Sequence, residues 1–248
     1  MKNKLLEVKS LSKNYHTKLG EITAIDNLSF DIYEQEFLCI IGSSGCGKST
    51  LLNILANLDT LSSGKIIANK KINIGYMLQE DALFPWLNIL DNALLGLEIK
   101  KEKTKENVEY TKMLLEKYGL KDFLEKYPNQ LSGGMRQRVA LIRTLATRPD
   151  VLLLDEPFSA LDYVSRLSVS EDVAKIIKNE KKTVIMITHD ISEALSLASR
   201  IIVLSKRPAH IKNIYEINLD GNTPMERRQS KGFAKYYEQL WKDLDKNV

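Results

Sequence analysis

A chain of 248 residues, 44% hydrophobic and 27% charged, can bury the core of one large α/β unit with an inserted subdomain, but not the cores of two full domains. Its 36 basic against 32 acidic residues leave a formal charge of +4, too weak a balance to argue for nucleic acid as a partner. No run approaches the roughly 18 apolar residues that cross a bilayer, and the polar opening at Met1–Lys4 with the short Leu5–Val8 run is not a secretory signal, so the cytoplasm is the expected compartment.

In chain order, Leu5–Val8 reads as an opening strand, a polar turn holds Tyr15 and His16, and Ala24–Ile32 is further strand-like alternation. Tyr15 has two open readings: an aromatic that stacks on a purine base, or one that covers a sheet edge. Glu36–Ile41 (EFLCII) then reads as a buried strand, and apolar residues at helical spacing run from Ser49 to Leu58. Between them lies GSSGCGKST: Gly42, Ser43, Ser44, Gly45, Cys46, Gly47, Lys48, Ser49 and Thr50. Strand, G-x-x-x-x-G-K-[ST] and helix together make a phosphate-binding loop. Backbone N–H groups wrap the anion, Gly42, Gly45 and Gly47 permit the turns, and the helix start points its positive end at the charge. Lys48 supplies an ammonium for the β- and γ-phosphates, the Ser49 hydroxyl is placed for Mg²⁺, and Thr50 supports it. The competing reading is a plain glycine-rich turn. Cys39 and Cys46 lie too near this loop to suggest a structural disulfide, and fit a reducing compartment.

Leu61–Gly64 reads as a turn, and Lys65–Ala68 and Ile72–Leu78 as strands. Gln79 follows the second of these; its amide could reach Mg²⁺ or an attacking water, or be an ordinary loop residue. Phe84, Pro85 and Trp86 in the loop after it suit either a partner contact or packing beneath the next helix. Residues 88–127 turn helical, with Ile89, Leu90, Ala93, Leu94 and Leu97 on one face and Val108, Met113, Leu114 and Leu115 forming a second, expected to be core. After Pro128 comes LSGGMRQ (131–137), then a helical run over Arg138–Thr147. Ser132 with Gly133 and Gly134 at a helix start makes a second anion-binding terminus, against the reading of a flexible turn.

Val151–Leu154 is an apolar strand closed by Asp155 and Glu156, and a parallel strand's C-terminal end is where α/β sheets hold ligands. Facing a phosphate loop, Asp155 would anchor Mg²⁺ and its waters, and Glu156 would polarise the attacking water; the alternative is a pair of solvated strand-end charges. Ser159–Asp162 (SALD) turns into an amphipathic helix through Ile177, where Asp162 is either a ligand-side residue or only the N-cap. Thr183–Thr188 is a buried strand that ends in His189, which could donate to a γ-phosphate or be a structural histidine. Arg200–Ser205 and Ile211–Leu219 read as closing strands, and Pro224–Leu244 as one tail helix with Phe233, Tyr237, Leu240 and Trp241 on one side. The lysine clusters at 100–105 and 178–182 are solvated helix ends, and neither His16 nor His210 attracts a role.

GSSGCGKST, Gln79, LSGGMRQ, VLLLDEP with SALD, and His189, in this order, resemble the ATP-binding cassette of ABC transporters across nearly the whole chain. The resemblance implies a P-loop NTPase core with a mixed sheet, an antiparallel β subdomain and an inserted helical subdomain: core at about 1–87 and 138–220, helical part at 88–137, tail at 221–248. It implies ATP and Mg²⁺ as cofactors, with Tyr15 stacking the base, Gln79 sensing metal and water, Glu156 as catalytic base, and His189 on the γ-phosphate. Ser132, Gly133 and Gly134 of one copy would close on ATP held by another, making a head-to-tail homodimer; Met135 stands where many relatives carry Gln. The expected site is then catalytic Glu156, His189, Lys48 and Gln79; metal-facing Ser49, Gln79 and Asp155; and nucleotide-facing Tyr15, residues 42–50, Ser132–Gly134 and Asp162.

Within the family, PWLNILDN and SKRPAHI resemble importer ATPases of the nitrate, sulfonate, taurine and pyrimidine-precursor group. That implies transmembrane permease subunits as partners, a solute-binding protein acting indirectly, no nucleic acid, and a peripheral position on the cytoplasmic face of the membrane. The tail is too short for a regulatory domain. An efflux-pump ATPase, or a soluble cassette protein outside transport, is the alternative.

Overall fold

The computed structural model describes residues 3–18 and 20–245; the first two residues of the polar opening and the last three of the expected tail lie outside this set. The opening third carries β1 (Lys4–Thr17), β2 (Gly20–Tyr33), β3 (Phe37–Ile41), α1 (Lys48–Leu55) and β4 (Ser63–Ala68). The middle carries β5 (Ile74–Met77), α2 (Ile89–Ile99), α3 (Lys105–Lys117), α4 (Gly133–Ala146), β6 (Val151–Asp155) and α5 (Tyr163–Asn179). The last third carries β7 (Thr183–Thr188), α6 (Ile191–Leu197), β8 (Arg200–Leu204), β9 (Ile211–Glu216), α7 (Pro224–Gln229) and α8 (Phe233–Asp245). The chain folds into two units, Met1–Ile72 with Lys182–Val248, and Asn73–Lys181.

The first unit holds two sheets. One is antiparallel, in the order β2-β1-β4. In the other, β3 lies between β7 and β8 and is parallel to both, and β9 closes the edge antiparallel to β8, so this sheet is mixed. Every residue of β7 and β8 is buried, which is why both read as continuous apolar runs rather than alternating ones. Helix α6 packs on β3 and β7, and α8 on α6 and β8. Beneath them Arg200 donates to Glu36 at 2.9 Å, both residues almost fully buried.

Three sequence expectations need correction here. The polar turn expected around Tyr15 and His16 is strand, with Tyr15 opposite Ile22 and His16 opposite Glu21; its solvent-facing residues carry no apolar alternation to reveal it. The helix expected to reach Leu58 ends at Leu55, because Asn57 takes φ 59° and the N–H groups of Asn57 and Leu58 turn back to Ile54 and Asn53, the Schellman arrangement. The single tail helix is two, since Ser230 is extended (ψ 144°) and the chain turns before Phe233.

In the second unit β5 and β6 pair in parallel, and α4 packs against α2, α3 and α5. The expected α2 face is buried at Ile89, Ala93, Leu94 and Leu97. On α3, Thr111, Leu114 and Leu115 turn inward while Met113 is 47% exposed, so Met113 is not core: the helical period sets it off the inward row. Both helices end as α1 does, with Lys101 (φ 58°) and Gly119 (φ 79°) at the reversal. Helix α4 begins at Gly133, as the reading of Ser132 as a helix cap expects, and joins the run over Arg138–Thr147 without a break. Ser132 accepts from the Met135 N–H at 3.3 Å and starts the helix through both glycines, a capping strength that outweighs their low helix propensity.

Candidate functional site

The parallel pairing of β3 and β7 places Ile41 opposite Thr188, so the loop that starts at Gly42 and the residue His189 leave neighbouring strands at the same C-terminal edge. This is the edge at which α/β sheets bind ligands. The loop's geometry follows from its residues. Gly45 has φ 71° and Gly47 has φ 122°, and a Cβ at Gly47 would meet the Ala24 carbonyl at 3.0 Å, so only glycine satisfies both the dihedral and the space. Gly42 has an ordinary φ; its reason is the approach of the Cys46 sulfur, 2.7 Å from where a Cβ would stand. Cys46 is therefore packed beneath the loop, and burial pushes its thiol up despite the opposing charge of Lys48.

The Lys48 ammonium, on a residue only 5% exposed, donates to the carbonyls of Gly42 (2.9 Å) and Ser43 (3.0 Å). The Cys46 N–H is aimed at the same Ser43 carbonyl, at 3.3 Å. A buried cation, a converging backbone N–H and the start of α1 give this point a positive potential suited to an anion. Ser49 is exposed and Thr50 half-buried on the first turn of α1, and Ser43 and Ser44 line the loop's outer part.

His189 is exposed, and its place is fixed by its neighbours. Asp190 caps α6 by accepting from Ser192 (2.7 Å) and Glu193 (3.1 Å), its own N–H donates to Thr188 Oγ1, and Thr188 donates to the buried Glu193 at 2.7 Å. Tyr15 is 38% exposed, its hydroxyl donating to Asp59 at 2.8 Å, with the Lys13 ammonium 4.8 Å from the ring centre. The hydrogen bond from Lys13, then that from Tyr15, holds the Asp59 carboxyl below its usual range. The hydroxyl end of the ring is thus held by Asp59 and the Lys13 ammonium lies over the ring.

The second unit gathers its own group. The pairing of Met77 with Leu154 brings Gln79, Asp155 and Glu156 off one end of the β5–β6 pair. Gln79 donates to Ser159 Oγ (3.1 Å), and Ser159 donates to the Glu156 carbonyl (3.0 Å). The Tyr76 hydroxyl donates to Asp155 at 3.1 Å; burial first, then the Asp155 charge, pushes Tyr76 well above the ordinary tyrosine value. Glu156 is half-buried with φ 43°, an energetically costly backbone for a residue with a Cβ, of the kind that concentrates at functional sites. Asp162 caps α5, accepting from Val164 and Ser165 at 3.1 Å, and the Ser165 side chain leads the contacts that lower its pKa.

Gly133 and Gly134 lie in the first turn of α4, where a Cβ on Gly134 would stand 2.7 Å from Val169 and one on Gly133 3.2 Å from Leu161; close packing of α4 on α5 is one reason for this pair. Gln137, 5% exposed, donates to the Pro157 carbonyl and ties α4 to the loop after Glu156.

Sequence reasoning missed Tyr76, Ser159 as the link between Gln79 and Glu156, Gln137, and the Thr188–Asp190–Glu193 brace. It also missed Asn92, fully buried, which accepts from the Phe84 N–H (2.8 Å) and donates to the carbonyls of Phe84, Leu87 and Asn88. Asn92 thereby holds out the stacked pair Phe84–Trp86, 4.9 Å between centroids, with Trp86 69% exposed.

No cluster of three or more His, Cys, Asp or Glu among the described residues makes a closed metal cage. Magnesium asks for less: oxygen donors, one or two carboxylates, and the rest from phosphate and water. The exposed Ser49 hydroxyl of the first unit, and the Asp155 carboxylate and exposed Gln79 amide of the second, are each donors of that kind, so in donor chemistry each suits the ion. Among the described residues no helix is long and apolar enough to cross a membrane.

Comparison with known proteins agrees with this chemistry. The family model described as ABC transporter matches residues 25–159. The nitrate import ATP-binding protein of a Synechocystis species is 39% identical over 95% of this chain and 93% of its own length. An aliphatic sulfonates import ATP-binding protein of Bacillus thuringiensis is 40% identical over 86% of each chain. A solved dimeric ATP-binding cassette, in a post-hydrolysis state bound to ADP and Pi, superposes with a TM-score of 0.72 at 31% identity, over 86% of this chain and 99% of that one.

Proposed function

This chain belongs to the ABC transporter family as an ATPase coupled to transport, and on that premise we propose that it powers the import of a small anionic or polar solute of the nitrate or sulfonate type. The observation that carries the ATP-binding part of the reading is the loop at Gly42–Thr50, where Lys48 and the Cys46 N–H converge beside a strand that ends next to His189, and the import part is supported by the nitrate and sulfonate import relatives.

In this reading the loop amides and Lys48 bind the triphosphate, Tyr15 stacks on the adenine, and His189 donates to the γ-phosphate. Glu156 orients a water for in-line attack: the water oxygen bonds to the γ-phosphorus, the bond to the β–γ bridging oxygen breaks, Glu156 takes the proton, and ADP and inorganic phosphate result. Gln79, tethered through Ser159, positions the same water. Mg²⁺, held by the Ser49 hydroxyl with Asp155 and Gln79, would supply neutralisation of phosphate charge. Tyr76 fixes the Asp155 carboxylate for that task.

The solved relative described above is dimeric, which supports a head-to-tail homodimer in which Ser132, Gly133, Gly134 and Asp162 of one copy face the nucleotide of the other. ATP would close it by adding charge-assisted contacts from both copies, and hydrolysis would release them. The exposed Phe84–Trp86 pair suits a permease subunit at the cytoplasmic face of the membrane, with a solute-binding protein acting beyond it.

The test is ATPase activity of the chain with its permease subunits, beside Lys48→Ala and Glu156→Gln. Both variants should lose at least about 100-fold in kcat. Wild-type turnover in either would overturn the site assignment.

A further inference from the structure

The SKRPAHI segment (205–211) is not used by the reading above, yet it is built against the phosphate loop. Strand β8 flanks β3 on the side opposite β7, with Val203 opposite Ile41, so the chain after β8 emerges beside the loop as His189 does on the other side. Arg207 reaches back and donates to the Gly45 carbonyl from Nε (3.3 Å) and from one terminal nitrogen (3.1 Å). The C=O of Gly45 and the N–H of Cys46 belong to one planar trans peptide and point opposite ways. With the oxygen held by Arg207, the Cys46 N–H is directed at the Ser43 carbonyl (3.3 Å), where the Lys48 ammonium also points (3.0 Å).

The turn that presents Arg207 is itself tightly held. The Ser205 hydroxyl lies 2.8 Å from the Lys206 carbonyl, 3.0 Å from that of Pro208 and 2.8 Å from His210 Nδ1, and accepts from the His210 N–H at 2.9 Å. Ala209 donates to the Ala24 carbonyl and accepts from the Asp26 N–H, both at 2.9 Å, and the same Ala24 carbonyl and Ala209 methyl wall in Gly47. One frame therefore fixes the glycine at the helix start and the cation at the loop's crown.

We propose that Arg207 is a positioning residue of the ATP site: its guanidinium holds the Gly45 carbonyl on its own side, so that the Cys46 N–H, which meets the Ser43 carbonyl beside the Lys48 ammonium, stays on the ammonium's side and is there to receive a nucleotide phosphate. Its charge adds to the positive potential of the loop. Without Arg207 this peptide is held only by the long Cys46 N–H contact to the Ser43 carbonyl (3.3 Å), glycine adds no Cβ to resist its rotation, and an inward Gly45 carbonyl would repel phosphate. The inference rests on the reading of Gly42–Thr50 as the ATP phosphate site.

The experiment is ADP titration calorimetry of the full chain, beside Arg207→Ala, Arg207→Lys, Lys206→Ala and Lys48→Ala, with thermal unfolding of each ligand-free variant. Arg207→Ala should weaken ADP about three- to tenfold, the range of one partly exposed charge-assisted hydrogen bond. Arg207→Lys, which keeps a donor and the charge, should recover most of the affinity. Lys206→Ala, which removes an exposed neighbouring cation that makes no contact with Gly45, should bind as wild type, and a purely structural loss would not be rescued by lysine. Wild-type ADP affinity in Arg207→Ala beside weakened Lys48→Ala would overturn the role of Arg207 and leave the site reading intact. An equal loss in Arg207→Lys and Arg207→Ala would overturn it as well. Undiminished binding in Lys48→Ala would instead sink the site reading, and Arg207 with it.

Discussion

Glu156, the proposed catalytic base, stands on a strained backbone. Its φ of 43° costs about 1 kcal/mol against an ordinary conformation, offset by the Ser159 contacts to its carbonyl. Glu180 is a carboxylate placed among hydrogen-bond donors. It accepts from Lys117 and Tyr118 at 2.8 Å and from Tyr110 at 3.4 Å. Burial pushes its pKa up, but Lys117, Tyr118 and Tyr110 together outweigh burial and the net shift is downward. A carboxyl with a lowered folded pKa adds stability above its unfolded pKa and loses it as pH falls through the folded value. Glu180→Gln should therefore destabilise by about 1–2 kcal/mol at neutral pH and by much less near about pH 3, as urea unfolding at the two pH values would report. A constant penalty at both would show that its charge is not what matters.

At this scale the sequence was legible where function compresses residues into a contiguous motif. Lys48, Asp155, Glu156 and His189 stand in recognisable local patterns at strand ends. Arg207 and Tyr76 do not, because each acts on a partner far along the chain, 162 and 79 positions away, and neither leaves a mark in its own neighbourhood.

Among the elements, the buried strands were readable because β7 and β8 carry apolar runs, Val184–Ile187 and Ile201–Leu204, inside strands buried throughout. Boundaries were not readable where hydrogen bonding rather than hydrophobicity decides them. Asn57 and Lys101 end helices with positive φ although neither is glycine, whereas the cap at Ser132 that starts α4 was readable from the serine itself. The loop before α2 was legible as aromatic but not as rigid, since its rigidity comes from one amide inside the following helix. Asn92→Ala would strip partners from the Phe84 N–H and from three carbonyls. The expected cost is about 2–3 kcal/mol, with faster proteolysis between residues 84 and 87. Unchanged unfolding and an equally resistant loop would show that the Arg136 and Arg143 bonds to Asp81 and Ala82 suffice to hold it.

For the molecule as a whole, the two units carry complementary chemistry. The first holds the anion-binding loop, Tyr15 and His189; the second holds Asp155, Glu156, Gln79 and the Ser132–Gly134 helix start. The proposed hydrolysis assigns the phosphate cradle to the first group and the carboxylate base to the second. The most direct test of that account is the size of Glu156→Gln in solution, by light scattering with and without ATP. With the nucleotide bound but uncleaved, the account predicts a stable dimer that appears only with ATP and is lost when Lys48→Ala is added. A variant that stays monomeric at saturating ATP, or that hydrolyses it at the wild-type rate, would contradict it.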